Sequence, residues 1–441
     1  MARFLLLTLG SGGDLYPFLR IGKALISEGH EVTLVTHCVY KENAEKYGFK
    51  FVGFDTLLEY QLVMNDEFQM KMQDPKVYVE FTKRYLFPKL ERAYKQIIEV
   101  CDSDTIVIAH SLTQALAQMI SEKLSLRYIT VFLAPSFLES IIKNPGYIME
   151  YLAKELNYLR NKVGLEPIQN WRGMLNYYNQ AIAFWPEWFA NYRSEVDLPI
   201  TYAGFLLHNN LEAVSDELMH WFEESNPVII SHGTTPAISD SFYSSCISAC
   251  VELEYPSIVV SKSKQVIPAM FQSVIRHEAF LPFSKVMDQA KLLIHHGGIG
   301  TMGQAMKAGV PQLILGNGFD RPLNGLYVKK LEVADYLPLP KWTKGDVISS
   351  LEALIKSNSI ESNCKEVAYK VSQMNVEDQI LQVANTVLNT TKLPDVSGIY
   401  SMDSSEEAKI QIANRTSSEL IELLKKVPAE KRSQLLKEIR R

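Results

Sequence analysis

Along the chain, apolar and polar positions alternate between short unbroken apolar runs and longer stretches of helical periodicity. RFLLLTLG (3–10), EVTLVTH (31–37), TIVIAH (105–110) and RYITVFL (127–133) are the first such runs. Strands buried on both faces of a parallel sheet carry near-continuous apolar runs of this kind. PFLRIGKALISEG (17–29) and LTQALAQMISEKL (112–124) place apolar residues at helical spacing. Strand and helix in alternation predict β-α-β units and a parallel sheet.

A second series opens at PVIISHG (227–233) and continues through YPSIVVSK (255–262), KLLIHHG (291–297) and VPQLILG (310–316). The polar stretch HNNLEAVSDE (208–217) separates the two series and marks a boundary between Gly204 and Asn226. The segment from Leu57 to Tyr192 is rich in aromatics, including Phe81, Tyr85, Trp171, Trp185 and Trp188. Helical spacing assigns most of them to the core, and some to the lining of an apolar cleft. Beyond Thr391 the pattern lapses. KLPDVSGIYSMDSSEE (392–407) reads as a linker, and SELIELLKKVPAEKRSQLLKEIRR (418–441) as one or two charged amphipathic helices. Such helices pack back on the chain or dock another protein.

Composition narrows the class. A chain of 441 residues exceeds what one hydrophobic core supports, so two domains are expected. With 47% hydrophobic and 22% charged residues and a net charge of −5, the sequence is that of a soluble globular protein without a nucleic-acid footprint. The run Phe4–Leu9 is too short for a signal sequence or membrane span, so no transmembrane segment is expected. The five cysteines, Cys38, Cys101, Cys246, Cys250 and Cys364, are scattered; reduced thiols in the cytoplasm and no metal site are expected.

Three glycine loops follow predicted strands. In HHGGIGTMGQAMKAGVPQ (295–312) the strand runs into a turn and then a helix, predicted to start near Thr301. Glycines there admit close backbone approach, and a helix N-terminus supplies unpaired N–H donors, which suits an anion such as phosphate. A histidine at the turn can donate to a phosphate oxygen or, if charged, offset negative charge on a departing diphosphate; the alternative is a tight turn capped by its histidines. PVIISHGTTPAI places Gly233, Thr234 and Thr235 at another strand end, the edge where open parallel sheets bind ligands. TLGSGGDLYP (8–17) places the carboxylate of Asp14 in a glycine loop between strand and helix, as a cap or, opposite a phosphate loop, as a base.

GSGGDL also invites comparison with the dinucleotide fingerprint of an NAD-dependent oxidoreductase. That reading needs a third glycine where Leu15 stands, and an acidic residue for the ribose where EVTLVTH ends in His37.

The residues GSGGDLYPF, KVGLEP, WPEWF ahead of an AGF strand, and HHGGIG followed by AGVPQ together resemble the UDP-glycosyltransferase superfamily, over nearly the whole chain to about Thr391. Among its members, the bacterial rhamnosyltransferases of rhamnolipid synthesis and the glycosyltransferases of antibiotic and sterol aglycones are most similar in these motifs. The resemblance implies an α/β, GT-B architecture of two facing Rossmann-like domains with parallel sheets and an interdomain cleft. It implies an acceptor-binding domain over 1–208, a nucleotide-sugar domain over 222–375, a helix at 376–391 returning to the first domain, and an appended tail at 392–441.

The same resemblance implies an inverting, metal-independent transfer, without a cofactor, from a UDP- or TDP-sugar to a hydroxyl of a hydrophobic acceptor. Asp14 is then the base and His296 the residue that steadies the leaving diphosphate. Gly233, Thr234, Gly298, Gly300 and Thr301 would surround the diphosphate, Phe280 and Leu281 the nucleobase, Gln304 the ribose, and Asp320 with Arg321 the sugar. Gly13, His110 and Ser111 would meet the acceptor.

Two positions depart from the family pattern. Gln304 stands where many relatives carry glutamate, and Arg321 follows Asp320 where a glutamine is usual, so a donor-only cation replaces an amide. Arg321 therefore faces an acidic sugar, grips the diphosphate or turns to solvent. A glycosyltransferase-like helper without catalysis is the remaining alternative, against which the joint presence of Asp14 and His296 argues.

Overall fold

The computed structural model describes residues 1–64, 75–143, 147–174, 176–195, 199–207, 213–233 and 240–400. Two parallel sheets organise it. The first contains β1 (Arg3–Leu7), β2 (Glu31–Thr36), β3 (Lys50–Gly53), β4 (Thr105–His110), β5 (Arg127–Phe132), β6 (Gln180–Ala183) and β7 (Ile200–Tyr202), in the order β3-β2-β1-β4-β5-β6-β7. The second contains β8 (Val228–Ser231), β9 (Ser257–Val260), β10 (Arg276–Glu278), β11 (Leu292–His295), β12 (Gln312–Ile314) and β13 (Ala334–Tyr336), in the order β10-β9-β8-β11-β12-β13. Strand order reverses between β1 and β4 in one sheet and between β8 and β11 in the other. Crevices at the carboxyl ends of strands beside such switch points are where open α/β sheets bind ligands.

The apolar runs account for the strands on which each sheet is built. The run at β4 is buried along its whole length, which is why it carries no polar alternation. Short strands escaped the pattern: β3, KFVG, is partly exposed throughout, and β10, RHE, holds no apolar residue. The AGF motif lies just past β7 rather than in it, with Gly204 at φ +94°.

Helix boundaries also differ from the sequence reading. The first helix spans Gly12–Ser27 and begins ahead of the expected Pro17, because Ser11 caps it. The helix after β11 spans Ile299–Ala308, two residues ahead of the expected Thr301.

The helix Val376–Leu388 lies on the first sheet, where Val376, Ile380, Val383 and Val387 share a core with Phe4, Leu6, Ile129 and Ile182. Arg127 donates to the carbonyls of Val387 and Leu388 at 3.3 and 2.8 Å, satisfying acceptors left over at the helix end. Residues 397–400, expected to be linker, dock instead. Ile399 is buried with Ile168 and Met174, and its carbonyl accepts the N–H groups of Gln169 and Asn170.

The halves also meet directly: Phe189 packs on Tyr327 at 5.3 Å, and the Tyr192 and Tyr327 hydroxyls are 2.8 Å apart. All five cysteines are free. The amphipathic tail lies outside the described residues.

Candidate active site

On the first sheet, the loop after β1 builds a small network around Asp14. Asp14 is not in the loop but in the first helical turn. There its Oδ2 accepts the Ser11 N–H at 2.8 Å, while the Ser11 hydroxyl accepts the Gly13 N–H at 3.3 Å. This is a capping box with aspartate in the acidic place. Gly10 has φ +136°, and any Cβ there would run into the Asp14 carboxylate, so glycine is what lets that side chain fold back.

Behind the loop, Gly10 N–H donates to His37 Nε2 at 3.2 Å, and His37 Nδ1 lies 2.6 Å from Asp55 Oδ2. An acceptor at Nε2 assigns the neutral tautomer with hydrogen on Nδ1, donating to Asp55. Burial would raise the Asp55 carboxyl, but the His37 and Cys38 N–H donors outweigh it and hold it below its ordinary range.

Burial raises the Asp14 carboxyl; the Ser11 N–H opposes, and the Asp320 carboxylate from the second half adds to the rise. The net effect is a pKa pushed up to about 6. Asp14 and Asp320 thus face one another closely enough for their charges to interact.

On the second sheet, β8 and β11 run in register with Ser231 opposite His295, so His232 and His296 leave adjacent strand ends together. Their rings lie 5.6 Å apart, and both are buried. His295 points elsewhere: its Nδ1 accepts the Gly297 N–H at 3.2 Å, and Nε2 meets the Gln312 amide oxygen at 3.0 Å. Of the two adjacent histidines, His296 is therefore the one that neighbours His232.

Gly233 and Gly298 flank the His296 ring. A Cβ on Gly298 would stand 2.6 Å from His296 Nε2, and one on Gly233 would collide with Cε1. Space for an imidazole, as well as close backbone approach, is what these glycines supply. Gly300 is exposed with open space before it, and Thr301 is half-buried in the same first turn. Thr234 lies outside the described residues.

Burial, then the Arg321 charge, then His232 and His295 hold His296 well below the ordinary histidine pKa, so the ring is neutral at physiological pH. Arg321 is half-buried, and its charge helps to lower the pKa of both His232 and His296. Asp320 precedes the helix Arg321–Lys330, and its Oδ2 accepts from Asn324 Nδ2 at 2.7 Å; the same amide donates to the Gly297 carbonyl at 3.0 Å. That buried asparagine ties the helix to the loop after β11.

Phe280 is 51% exposed and presents a ring, whereas Leu281 is buried in the core with Phe222 and Met287, leaving only its backbone to face a ligand. Gln304 is buried within its helix. Gly13 is exposed.

His110, at the end of β4, is wholly buried between Phe18 and Phe137, at ring distances of 6.3 and 5.6 Å. Among the described residues, neither of its ring nitrogens has a hydrogen-bond partner, and the hydroxyl of Ser111 has none either. Burial drives the His110 pKa down to about 3.

Three residues were not singled out from sequence. His37 and Asp55 are 18 positions apart and meet only because β2 and β3 pair. His232 did leave a signal, since SHG after β8 repeats the HHG after β11. Asp55 also bears on the dinucleotide reading: it supplies an acidic residue near the end of β2, but His37 and Cys38 occupy its oxygens. Among the described residues, no group of three or more acidic, histidine or cysteine side chains suits a metal ion. Among them, too, no helix is long and apolar enough to cross a membrane.

Two parallel-sheet domains with opposed switch-point loops define a GT-B protein, and solved structures agree. The calicheamicin glycosyltransferase CalG4 superposes with TM-score 0.68 at 16% identity, covering 88% of this chain and 98% of its own. The spinosyn rhamnosyltransferase SpnG complexed with thymidine diphosphate superposes with TM-score 0.65 at 14% identity, covering 87% and 100%.

Residues 4–143 match the glycosyltransferase family 28 N-terminal domain, and residues 248–383 the erythromycin biosynthesis protein CIII-like C-terminal domain. The sterol 3-beta-glucosyltransferase of Saccharomyces cerevisiae is 23% identical over 71% of the chain, which spans 29% of the length of that protein. The NDP-glycosyltransferase YjiC of Bacillus subtilis is 22% identical over 82% of the chain and 91% of its own length. The chain belongs to the UDP-glycosyltransferase superfamily.

Proposed function

We propose that this protein is an inverting glycosyltransferase that moves a sugar from a UDP- or TDP-sugar to a hydroxyl of an apolar acceptor, with Asp14 as general base. The observation that carries the reading is the Asp14 carboxyl, pushed up to about 6 by burial, with the Asp320 charge from the second half adding to the rise. A base with its pKa near working pH is largely ionised yet basic enough to take a proton in the transition state. Hydrogen bonds of Asp14 with the described residues fall on Oδ2, so Oδ1 is the oxygen offered to the acceptor.

In the reaction, the acceptor oxygen attacks the anomeric carbon as its proton passes to Asp14. The bond from that carbon to the diphosphate breaks, and its electron pair leaves with the diphosphate. His296, Arg321 and the N-terminus of the helix Ile299–Ala308 meet the departing charge without a metal. Phe280 stacks on the nucleobase, Gln304 bonds the ribose, and Asp320 bonds the sugar. His110 and Ser111, with their unpaired polar atoms, serve the acceptor side.

The names of relatives support the substrate classes: a sterol glucosyltransferase for the acceptor, and a rhamnosyltransferase bound to thymidine diphosphate for the donor. The test is single-turnover transfer with UDP- and TDP-sugars against a panel of sterol and polyketide aglycones. Asp14→Asn should lower the rate by about 10²- to 10⁴-fold while diphosphate binding is kept. Equal rates in variant and wild type would remove Asp14 from the chemistry. Binding of NAD, with no response to either diphosphate, would overturn the whole reading.

A further inference from the structure

His37 and Asp55 belong to none of the roles given so far, yet they finish the strand that carries Asp14. Thr8 N–H donates to the Val35 carbonyl at 3.1 Å, so regular parallel pairing would send the next amide on that side, Gly10 N–H, to the His37 carbonyl. That carbonyl is taken: the chain turns after β2, and it accepts the Tyr40 N–H at 3.0 Å. The Gly10 N–H goes instead to the ring of the same residue, at Nε2, 3.2 Å away. A side chain thus replaces a backbone acceptor just where β1 gives way to the helix bearing Asp14.

Two successive amides then point in opposite directions. Gly10 donates back to His37, and Ser11 donates forward to Asp14 Oδ2 at 2.8 Å. Gly10 sits at φ +136°, where a Cβ would collide with the Asp14 carboxylate, so its anchoring decides where that carboxylate lies. The imidazole is fixed in turn. Asp55 Oδ2 accepts from its Nδ1 at 2.6 Å, Asp55 Oδ1 accepts the Cys38 N–H at 2.9 Å, and the Lys89 charge also favours the ionised carboxyl. Phe54 and Tyr60 stand edge-on to the ring at 6.4 and 5.2 Å. With its hydrogen committed to Asp55 at Nδ1, the ring keeps a lone pair at Nε2 for Gly10. Apolar residues of similar volume often stabilise a core as well as buried charge does, so packing alone does not account for this arrangement.

We propose that His37, oriented by Asp55, is the positioning residue of Asp14: it holds the Gly10 N–H and so fixes the turn from which the carboxylate is presented. It does not touch substrate and exchanges no proton with it. The inference rests on the transferase reading for what Asp14 does, not for how Asp14 is held.

The test uses the full chain with His37→Phe and His37→Gln. Phenylalanine fills the ring's place but accepts no hydrogen bond, whereas glutamine brings an amide oxygen that can take the Gly10 N–H. The first readout is the Asp14 carboxyl, followed by NMR on protein labelled with carbon-13 at aspartate and assigned with Asp14→Asn. It should titrate near pH 6 in wild type and in His37→Gln. In His37→Phe the Ser11 N–H loosens from Oδ2, and because that bond lowers the Asp14 pKa, the titration should rise by about half a pH unit or more. The second readout is single-turnover transfer from UDP- and TDP-sugars to sterol and polyketide aglycones. His37→Phe should lose about tenfold or more in rate at unchanged half-saturating donor, and glutamine should restore most of it. Added to Asp14→Asn, His37→Phe should cost little further rate, because it acts through Asp14. Circular dichroism melts establish that the variants fold.

Phenylalanine equal to or better than glutamine in both readouts would overturn the proposal, since His37 would then supply only bulk. Additive losses in the double variant would overturn it as well. An Asp14 titration that follows His37 while the rates do not would sustain the positioning and remove Asp14 from the chemistry. Should no sugar be transferred to any aglycone, the titrations alone decide the positioning.

Discussion

Burial raises the Asp14 pKa most, and Asp320, which sequence places 306 positions away, adds to the rise. The Asp320 carboxylate contributes to the raised Asp14 pKa, so Asp320→Asn should lower it. The acidic limb of the rate–pH profile then moves to lower pH, and a limb that stays in place would separate the two groups.

His110 carries a stability prediction. Its folded pKa of about 3 lies below the ordinary 6.5, so the unfolded chain binds a proton that the folded one refuses. The resulting stability is complete above pH 6.5 and is lost as pH falls below it. Between pH 6.5 and 5 that loss is about 2 kcal/mol, at about 1.4 kcal/mol per pH unit. His110→Phe removes the titration, and denaturant melts at the two pH values should show a correspondingly flatter dependence. Of these residues, Asp14, His110, His296 and Asp320 were legible from their places after apolar runs or in matching motifs. The raised pKa on which a base role for Asp14 would rest was not, since it depends on burial and on a charge from the other half.

At the scale of elements, the glycines beside His296 have a role that motif reading assigned differently. Gly298 has φ −66° and ψ 135°, which alanine adopts without strain, so Gly298→Ala tests the side chain's size alone. Its Cβ would push on His296 Nε2, and UDP or TDP affinity should fall about tenfold, or about 1.4 kcal/mol, with little change in melting temperature. Equal affinity would show that the ring has room to move.

The longer strands were visible because burial on two faces favours long apolar runs, whereas β3 and β10 are short, partly exposed edge strands. The helix starts were misread for a related reason. A cap such as Ser11 acts through one hydrogen bond, and neither Pro17 nor the glycine loop reports where that bond forms.

Across the whole molecule, the segment after the second sheet closes the first. Arg160 is 1% exposed and donates to Glu122 at 2.9 Å, to the Glu166 carbonyl at 2.7 Å and to the Tyr400 hydroxyl at 2.8 Å. Arg160→Met leaves Glu122 without its cation and should cost about 3 to 5 kcal/mol. Limited proteolysis would then release the segment around Ile399 sooner than in wild type. Unaltered cleavage would mean that Tyr400 and Ile399 hold it alone.

That return path gives synthesis on the ribosome an order. Phe4, Leu6, Ile129 and Ile182 are among the earlier residues to emerge, yet the helix that shares their core is made after the second sheet is complete. A nascent chain therefore carries an uncovered apolar face while its remaining half is translated. It is a natural client for chaperones until residue 388 clears the exit tunnel.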